Sequence, residues 1–74
     1  MDDYRAVMIV EGVENAESPV EYLQAVSYLI ETGMAWSLQG FFGRTCARFI
    51  DEGIISKTGE ILITEDEIYD LFEE

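Results

Sequence analysis

The chain has 74 residues, and 16 acidic side chains against four basic ones, with no histidine, give it a formal charge of −12. That charge repels nucleic acids, nucleotides and anionic membranes, and it attracts basic surfaces. Without histidine there is no ordinary general base for a serine or cysteine nucleophile, and one cysteine with carboxylates is a poor zinc set. We therefore expect no enzyme, no cofactor and no metal site.

The length and the 49% apolar content predict one small globular domain over residues 1–74. A domain of this size buries only about 60–65% of the surface of its unfolded chain, so apolar surface is left over for a partner. A homodimer is the simplest expectation. The lone Cys46, the opening Met1-Asp2-Asp3 and the shortness of every apolar run indicate a soluble protein of a reducing cytosol.

In chain order, residues 3–12 favour a helix, because Asp2 and Asp3 suit its start and Gly12 its end. The apolar run within this segment also suits a buried strand. The next segment is clearer, since Ser18-Pro19-Val20-Glu21 predicts a capping box with proline at the first helical position. In that box Ser18 accepts the amide of Glu21, and Glu21 reaches back to Ser18. The helix is expected to end at Thr32-Gly33.

A third, continuous helix is predicted over residues 34–52. Its apolar face carries Leu38, Phe42, Cys46, Phe49 and Ile50 at helical spacing. Two internal glycines weaken this helix by about 2 kcal/mol relative to alanine, so packing must offset them.

After Gly53 the pattern changes to one that predicts a short β-hairpin over residues 54–63, turning at Lys57-Thr58-Gly59. Thr64 and Glu67 then form a second capping box, which starts a last helix with Ile68, Leu71 and Phe72 facing inward. The expected fold is mainly α: about four helices, with one hairpin between the third and the last, in an outline that resembles a winged helix.

The first candidate binding surface consists of Phe41, Arg44 and Arg48, on the side of the third helix opposite its apolar face. An aromatic side chain between two arginines is typical of a binding hot spot. The alternative is that both arginines pair with the surplus carboxylates of neighbouring helices and that Phe41 packs under the hairpin.

The second candidate surface is the acidic last helix, with Glu67, Asp70 and Glu74 as contact residues. Such a row of carboxylates can mimic the phosphates of a nucleic acid. Alternatively it is a solvated face, because the helix dipole favours acidic residues at an N-terminus. The dipole does not explain the acids at the opposite end of this helix.

A third group, Trp36, Gly40 and Gly43, lies on one flank of the predicted third helix. The small residues would let another helix approach closely. We expect either a subunit interface or an internal contact with the second helix.

The chain also resembles a family of short bacteriophage proteins over residues 4–56. The resemblance rests on the pattern SPxEY…YLxxTGxAW…LQGxFGRT…GII, which begins at Ser18 and ends at Ile55. It implies a small phage accessory protein, made in the cytoplasm of the host bacterium, of a kind that binds and redirects or inhibits a host protein. The resemblance assigns no role to any single residue.

The sequence thus predicts a non-enzymatic phage accessory protein that binds a host protein with a basic surface. In its sharper form the protein mimics nucleic acid and inhibits a host defence or nucleic-acid-binding factor. One alternative is a winged-helix-like DNA-binding regulator that uses Arg44 and Arg48, which the charge of −12 opposes. Another is a small structural or assembly protein of the virion.

Overall fold

A computed structural model describes residues 1–72, which contain five helices. Their bounds are α1 Asp3–Glu11, α2 Pro19–Glu31, α3 Met34–Ser37, α4 Gly40–Asp51 and α5 Glu65–Phe72. The longest, α2, contacts each of the other four and forms the centre of the core. Five of its side chains are buried, namely Leu23, Ala25, Val26, Leu29 and Ile30. Because α2 is covered on several sides, its apolar arc is wider than the single face of a surface helix.

The first segment is a helix, as the sequence favours, and it begins at an Asp2 cap. The Asp2 carboxylate accepts the Arg5 amide at 2.8 Å. Its inner face, Ala6, Ile9 and Val10, packs on α2. The alternative of a buried strand is therefore excluded.

An ion-pair network that the sequence did not predict joins α1 to the start of α2. The Arg5 guanidinium donates to Glu14 and to Glu21, each at 2.9 Å. Ser18 caps α2 as expected, since its hydroxyl accepts the Glu21 amide at 3.2 Å. Glu21, however, accepts the Glu17 amide at 2.6 Å and not that of Ser18. These two sets of bonds lower the pKa of Glu21, with the Glu17 amide as the largest cause and Arg5 as the second.

The prediction of one continuous third helix over residues 34–52 is wrong. The chain leaves the helical conformation at Leu38 and Gln39, so that a short α3 is followed by a separate α4. The extended backbone of these two residues turns α3 back against α4, where a Cβ on Gly43 would lie at van der Waals distance from α3, 3.5 Å from the Ala35 carbonyl and 3.8 Å from the Trp36 ring. The packing of α3 on α4 offsets the low helix propensity of the glycine.

The predicted β-hairpin is also wrong, since residues 1–72 contain no strand and only one bridge, between Ile55 and Ile61. The Leu62 amide donates across to the Ile54 carbonyl at 2.8 Å, but the outer ends of both arms are used elsewhere. The amides of Ile54 and Ile55 donate to the Phe49 carbonyl at the end of α4, and Thr64 begins the cap of α5. Too few residues remain to build a ladder. Without the hairpin, which would form the wing, the fold does not have the predicted outline of a winged helix.

The residues between α4 and α5 form instead a turn that rests on α2. The Ser56 amide donates to the Glu60 carbonyl at 2.7 Å, and the Ser56 hydroxyl accepts the amides of Thr58 and Glu60. Gly59 is buried at φ +99°, and the Ser27 hydroxyl of α2 donates to its carbonyl. A Cβ at this glycine would lie 3.0 Å from the Ser27 carbonyl oxygen, so only glycine fits the contact without a shift.

The capping box of α5 has both of its predicted bonds. The Glu67 amide donates to the Thr64 hydroxyl at 3.2 Å, and the Thr64 amide donates to the Glu67 carboxylate at 2.8 Å. The predicted inner face is too wide, because only Ile68 is buried while Leu71 and Phe72 are exposed. The reason is that α5 packs mainly on α2 and leaves its α4 side open.

Candidate interaction surface

The arginine face, defined as Phe41, Arg44 and Arg48, lies on the surface of α4. Phe41 contacts the edge of Phe42, with 5.3 Å between the ring centroids, and it does not pack under a hairpin. The Arg44 side chain turns back along the helix, since a Cβ at Gly40 would lie 2.9 Å from its Nη1 atom. Arg48 donates to Glu52 at 3.3 Å. Arg48 thus pairs within its own helix, with the C-cap residue of α4, and among residues 1–72 neither Arg44 nor Arg48 forms the expected pair with a carboxylate of a neighbouring helix.

The acidic face of α5 carries the second group of predicted site residues. At 100° per residue, Asp66 and Asp70 lie one turn apart on the side opposite the buried Ile68. Glu67 contributes to the cap of the helix, so it has a structural role as well as a charge. Glu74 lies outside the described residues.

The ion pairs are distributed unevenly over the part of the chain that the structure describes. Its ion pairs join Arg5 to Glu14 and Glu21, and Arg48 to Glu52. No carboxylate of α5 between Glu65 and Asp70 takes part in one. The negative charge is thus partly neutralised at the junction of α1 and α2 and is left without cationic partners on α5.

A groove with a volume of about 290 Å³ lies between α4 and α5. One side is a single face of α4, with Thr45, Arg48, Phe49 and Glu52 at i, i+3, i+4 and i+7. Leu71 and Phe72 of α5 form the other side, and Tyr22 and Ile54 complete the lining. The Tyr22 ring lies 6.1 Å from that of Phe49 and 5.7 Å from that of Phe72, so aromatic contacts join the two sides.

The structure brings Arg48, but not the rest of the arginine face, to this groove. The other lining residues were not predicted as site residues. Phe49 and Leu71 have the periodicity of core residues, and no pattern in the sequence reveals that α5 stands apart from α4. The sequence of α5 does contain one indication of an exposed apolar surface. Its eight residues include three large apolar side chains besides the buried Ile68, namely Tyr69, Leu71 and Phe72.

The predicted interface group is divided between two elements. Trp36 lies on α3 with half of its surface exposed, while Gly40 and Gly43 belong to α4. Gly43 faces α3 and Gly40 lies under the Arg44 side chain. The glycines thus serve contacts within the chain, although the partner of Gly43 is α3 and not α2, and Trp36 remains accessible.

The buried thiol of Cys46 belongs to the core, as its place on the apolar face indicates. It is fully buried, and this desolvation raises its pKa to about 11. The thiol is protonated at neutral pH, which makes it a poor nucleophile. Burial also raises the pKa of the neighbouring Tyr22, with a smaller contribution from Cys46. Within the described residues, no group of three or more acidic or cysteine side chains is arranged to hold a metal ion.

Over residues 1–72, every helix is too short or too polar to cross a bilayer. The chain belongs to the family described as a domain of unknown function, DUF7417, whose model matches residues 8–72. The match begins inside α1 and runs to the end of α5, so it includes the groove and all of the buried core except Ala6. No curated protein and no solved structure matches the chain.

Proposed function

We propose that this protein is a non-enzymatic accessory protein that acts by binding another protein with a basic surface. The observation that supports it is the composition of α5, where carboxylates without ion pairs among residues 1–72 adjoin exposed apolar side chains. A surface used only for solubility would need the charge and not the apolar groups. A contact surface needs both, because charge speeds encounter and apolar burial prolongs the complex.

The resemblance to short phage proteins supports a more specific form of this proposal. The protein is then made by a bacteriophage in the host cytoplasm, and its partner is a host defence or nucleic-acid-binding protein. The basic cleft of such a partner is suited to phosphates, and the Asp66–Asp70 face of α5 offers it carboxylates in their place. We also propose a homodimer, in which the accessible Trp36 is the candidate contact.

The experiment is capture from a bacterial lysate at low and at high salt with two matched double variants. Asp66→Asn/Asp70→Asn removes two charges from α5, and Glu11→Gln/Glu60→Gln removes two exposed charges elsewhere. We expect basic proteins to be enriched at low salt and lost at high salt, with the α5 variant losing most of the captured protein. The captured protein is then purified and titrated against DNA, which we expect to compete.

Two results contradict the proposal. One is the absence of any basic protein enriched over the bare resin at low salt. The other is an equal loss of capture in the two double variants, since net charge alone then accounts for retention. If a basic protein is captured but DNA does not compete with it, the proposal of nucleic-acid mimicry is contradicted and the proposal of protein binding stands.

A further inference from the structure

We infer that the α4–α5 groove receives one bulky apolar side chain from a basic segment of the partner. This inference rests on the proposed function and adds to it the contact that charge alone does not supply. This contact distinguishes the specific recognition of one segment from a general attraction between opposite charges.

The shape and lining of the groove favour a single side chain. Its volume of about 290 Å³ is at the lower limit of pockets that enclose whole small ligands. Apolar groups lie on both sides, with Phe49 on α4 and Leu71 and Phe72 on α5. An aromatic or leucine side chain placed between them gains contact on two sides. Tryptophan and tyrosine anchors buried in such pockets contribute much of the affinity at protein interfaces, so an aromatic side chain is the better occupant of the two.

The charges around the groove favour a basic segment over an acidic one. Glu52 is on its edge with a half-exposed side chain, and its partner Arg48 is 80% exposed. An exposed pair of this kind contributes little to stability, so either member can exchange its partner, and the net charge of −12 favours an incoming lysine or arginine on Glu52 over an incoming carboxylate on Arg48. Both α4 and α5 also direct their C-terminal ends, which are the negative ends of their dipoles, to this part of the molecule. At this groove a second copy would bring its own negative charge of −12 against the acidic α5, so a basic segment is the better electrostatic match, whereas the proposed homodimer uses Trp36.

The test uses two synthetic lysine-rich peptides that differ only in one central residue, tryptophan in one and alanine in the other. Their affinities are measured by calorimetry for the wild-type chain, for Leu71→Ser and for Tyr69→Ser. The two variants form a matched pair, since the side chains are 45% and 44% exposed on the same helix and only Leu71 lines the groove. Amide NMR spectra of each variant establish that α5 remains folded.

We expect the wild-type chain to bind the tryptophan peptide about ten- to hundred-fold more tightly than the alanine peptide. Leu71→Ser should lose most of that ratio, and Tyr69→Ser should keep it. Amide shifts on addition of the tryptophan peptide should centre on Phe49, Ile54 and Phe72.

Equal binding of the two peptides to the wild-type chain overturns the inference and leaves the proposed function intact. Failure of both peptides to bind counts against both. An equal loss of the ratio in Leu71→Ser and Tyr69→Ser also overturns it, because the groove is then not the site. Self-association that Leu71→Ser abolishes assigns the groove to a second copy, which is the other occupant and contradicts a basic segment.

Discussion

The α1–α2 pair and α5 differ in how they use the same kinds of residues. In the pair, apolar side chains from both helices are buried together, and Arg5 forms ion pairs with Glu14 and Glu21 across the junction. In α5, one apolar side chain is buried, three large ones are exposed and the carboxylates have no ion pair among residues 1–72. The pair holds the molecule together, whereas α5 presents groups that fold stability does not require.

This difference indicates where a partner should be sought in an acidic protein. A formal charge of −12 describes the whole chain, but charge that is paired inside the structure is less available for recognition. Apolar surface next to unpaired carboxylates is a better guide than charge alone. Three substitutions test the contrast between the two regions, and the one with the largest expected effect on stability comes first.

Leu29→Ala should have the largest effect, because this α2 side chain is completely buried at the centre of the core. The substitution removes buried methyl groups and leaves a cavity, which costs about 2–5 kcal/mol of the free energy of unfolding. A domain of this size has a total of roughly 5–10 kcal/mol, so the substitution is expected to remove about half of the stability. Denaturant unfolding followed by circular dichroism measures the change.

The matched control is Leu62→Ala, since Leu62 is exposed in the segment before α5. We expect its free energy of unfolding to change by less than about 0.5 kcal/mol. Equal costs for the two leucines would mean that the N-terminal pair is not the main source of stability.

Gly59→Ala tests the contact by which the turn before α5 is held to α2. The backbone at φ +99° and the approach of a Cβ to 3.0 Å from the Ser27 carbonyl both oppose alanine. We expect a loss of about 3 kcal/mol, against about 1 kcal/mol for Gly53→Ala, where φ is +75° and the space is open. Thermal unfolding of both variants measures the difference, and equal losses would show that the turn does not depend on this contact.

Glu21→Gln should have the smallest effect, and the effect should depend on pH. The folded pKa of Glu21 lies below its ordinary value of 4.5, so its contribution is fully present above that value. The contribution is lost as the pH falls through the folded pKa. The variant should therefore melt at a lower temperature than the wild type at neutral pH, and the gap should close in acid.

Glu17→Gln is the control for this pH series, because it keeps the backbone amide that donates to Glu21 and changes only an exposed side chain. Its melting temperature should follow the wild type at each pH. A gap between Glu21→Gln and the wild type that stays constant into acid would contradict the assigned role of the Glu21 carboxylate.

Local sequence patterns predicted the elements whose bonds are also local. The Ser18 cap of α2, the helical first segment and the Thr64–Glu67 box all depend on residues three positions apart. The buried Cys46 followed from its place on an apolar helical face. The acidic side of α5 was likewise recognisable before its surroundings were known.

Local patterns gave wrong predictions where a contact between segments far apart in the sequence determined the conformation. Residues 54–63 have the composition of a hairpin, but the Phe49 carbonyl takes two of their amides and α2 takes their turn. The helix predicted over residues 34–52 divides at Leu38 and Gln39, where the chain turns so that α3 packs on both α2 and α4. Leu71 has the spacing of a core residue, yet no element covers it within residues 1–72.

The sequence by itself determined the net charge, the caps and most of the helical segments, because each depends on composition or on neighbours within one turn. Only the tertiary structure decided which glycine packs against another segment, which arginine forms an ion pair with a carboxylate and which side of α5 is exposed to solvent. Those outcomes depend on packing between segments far apart in the chain, where one residue can satisfy several local patterns and the shared core selects among them.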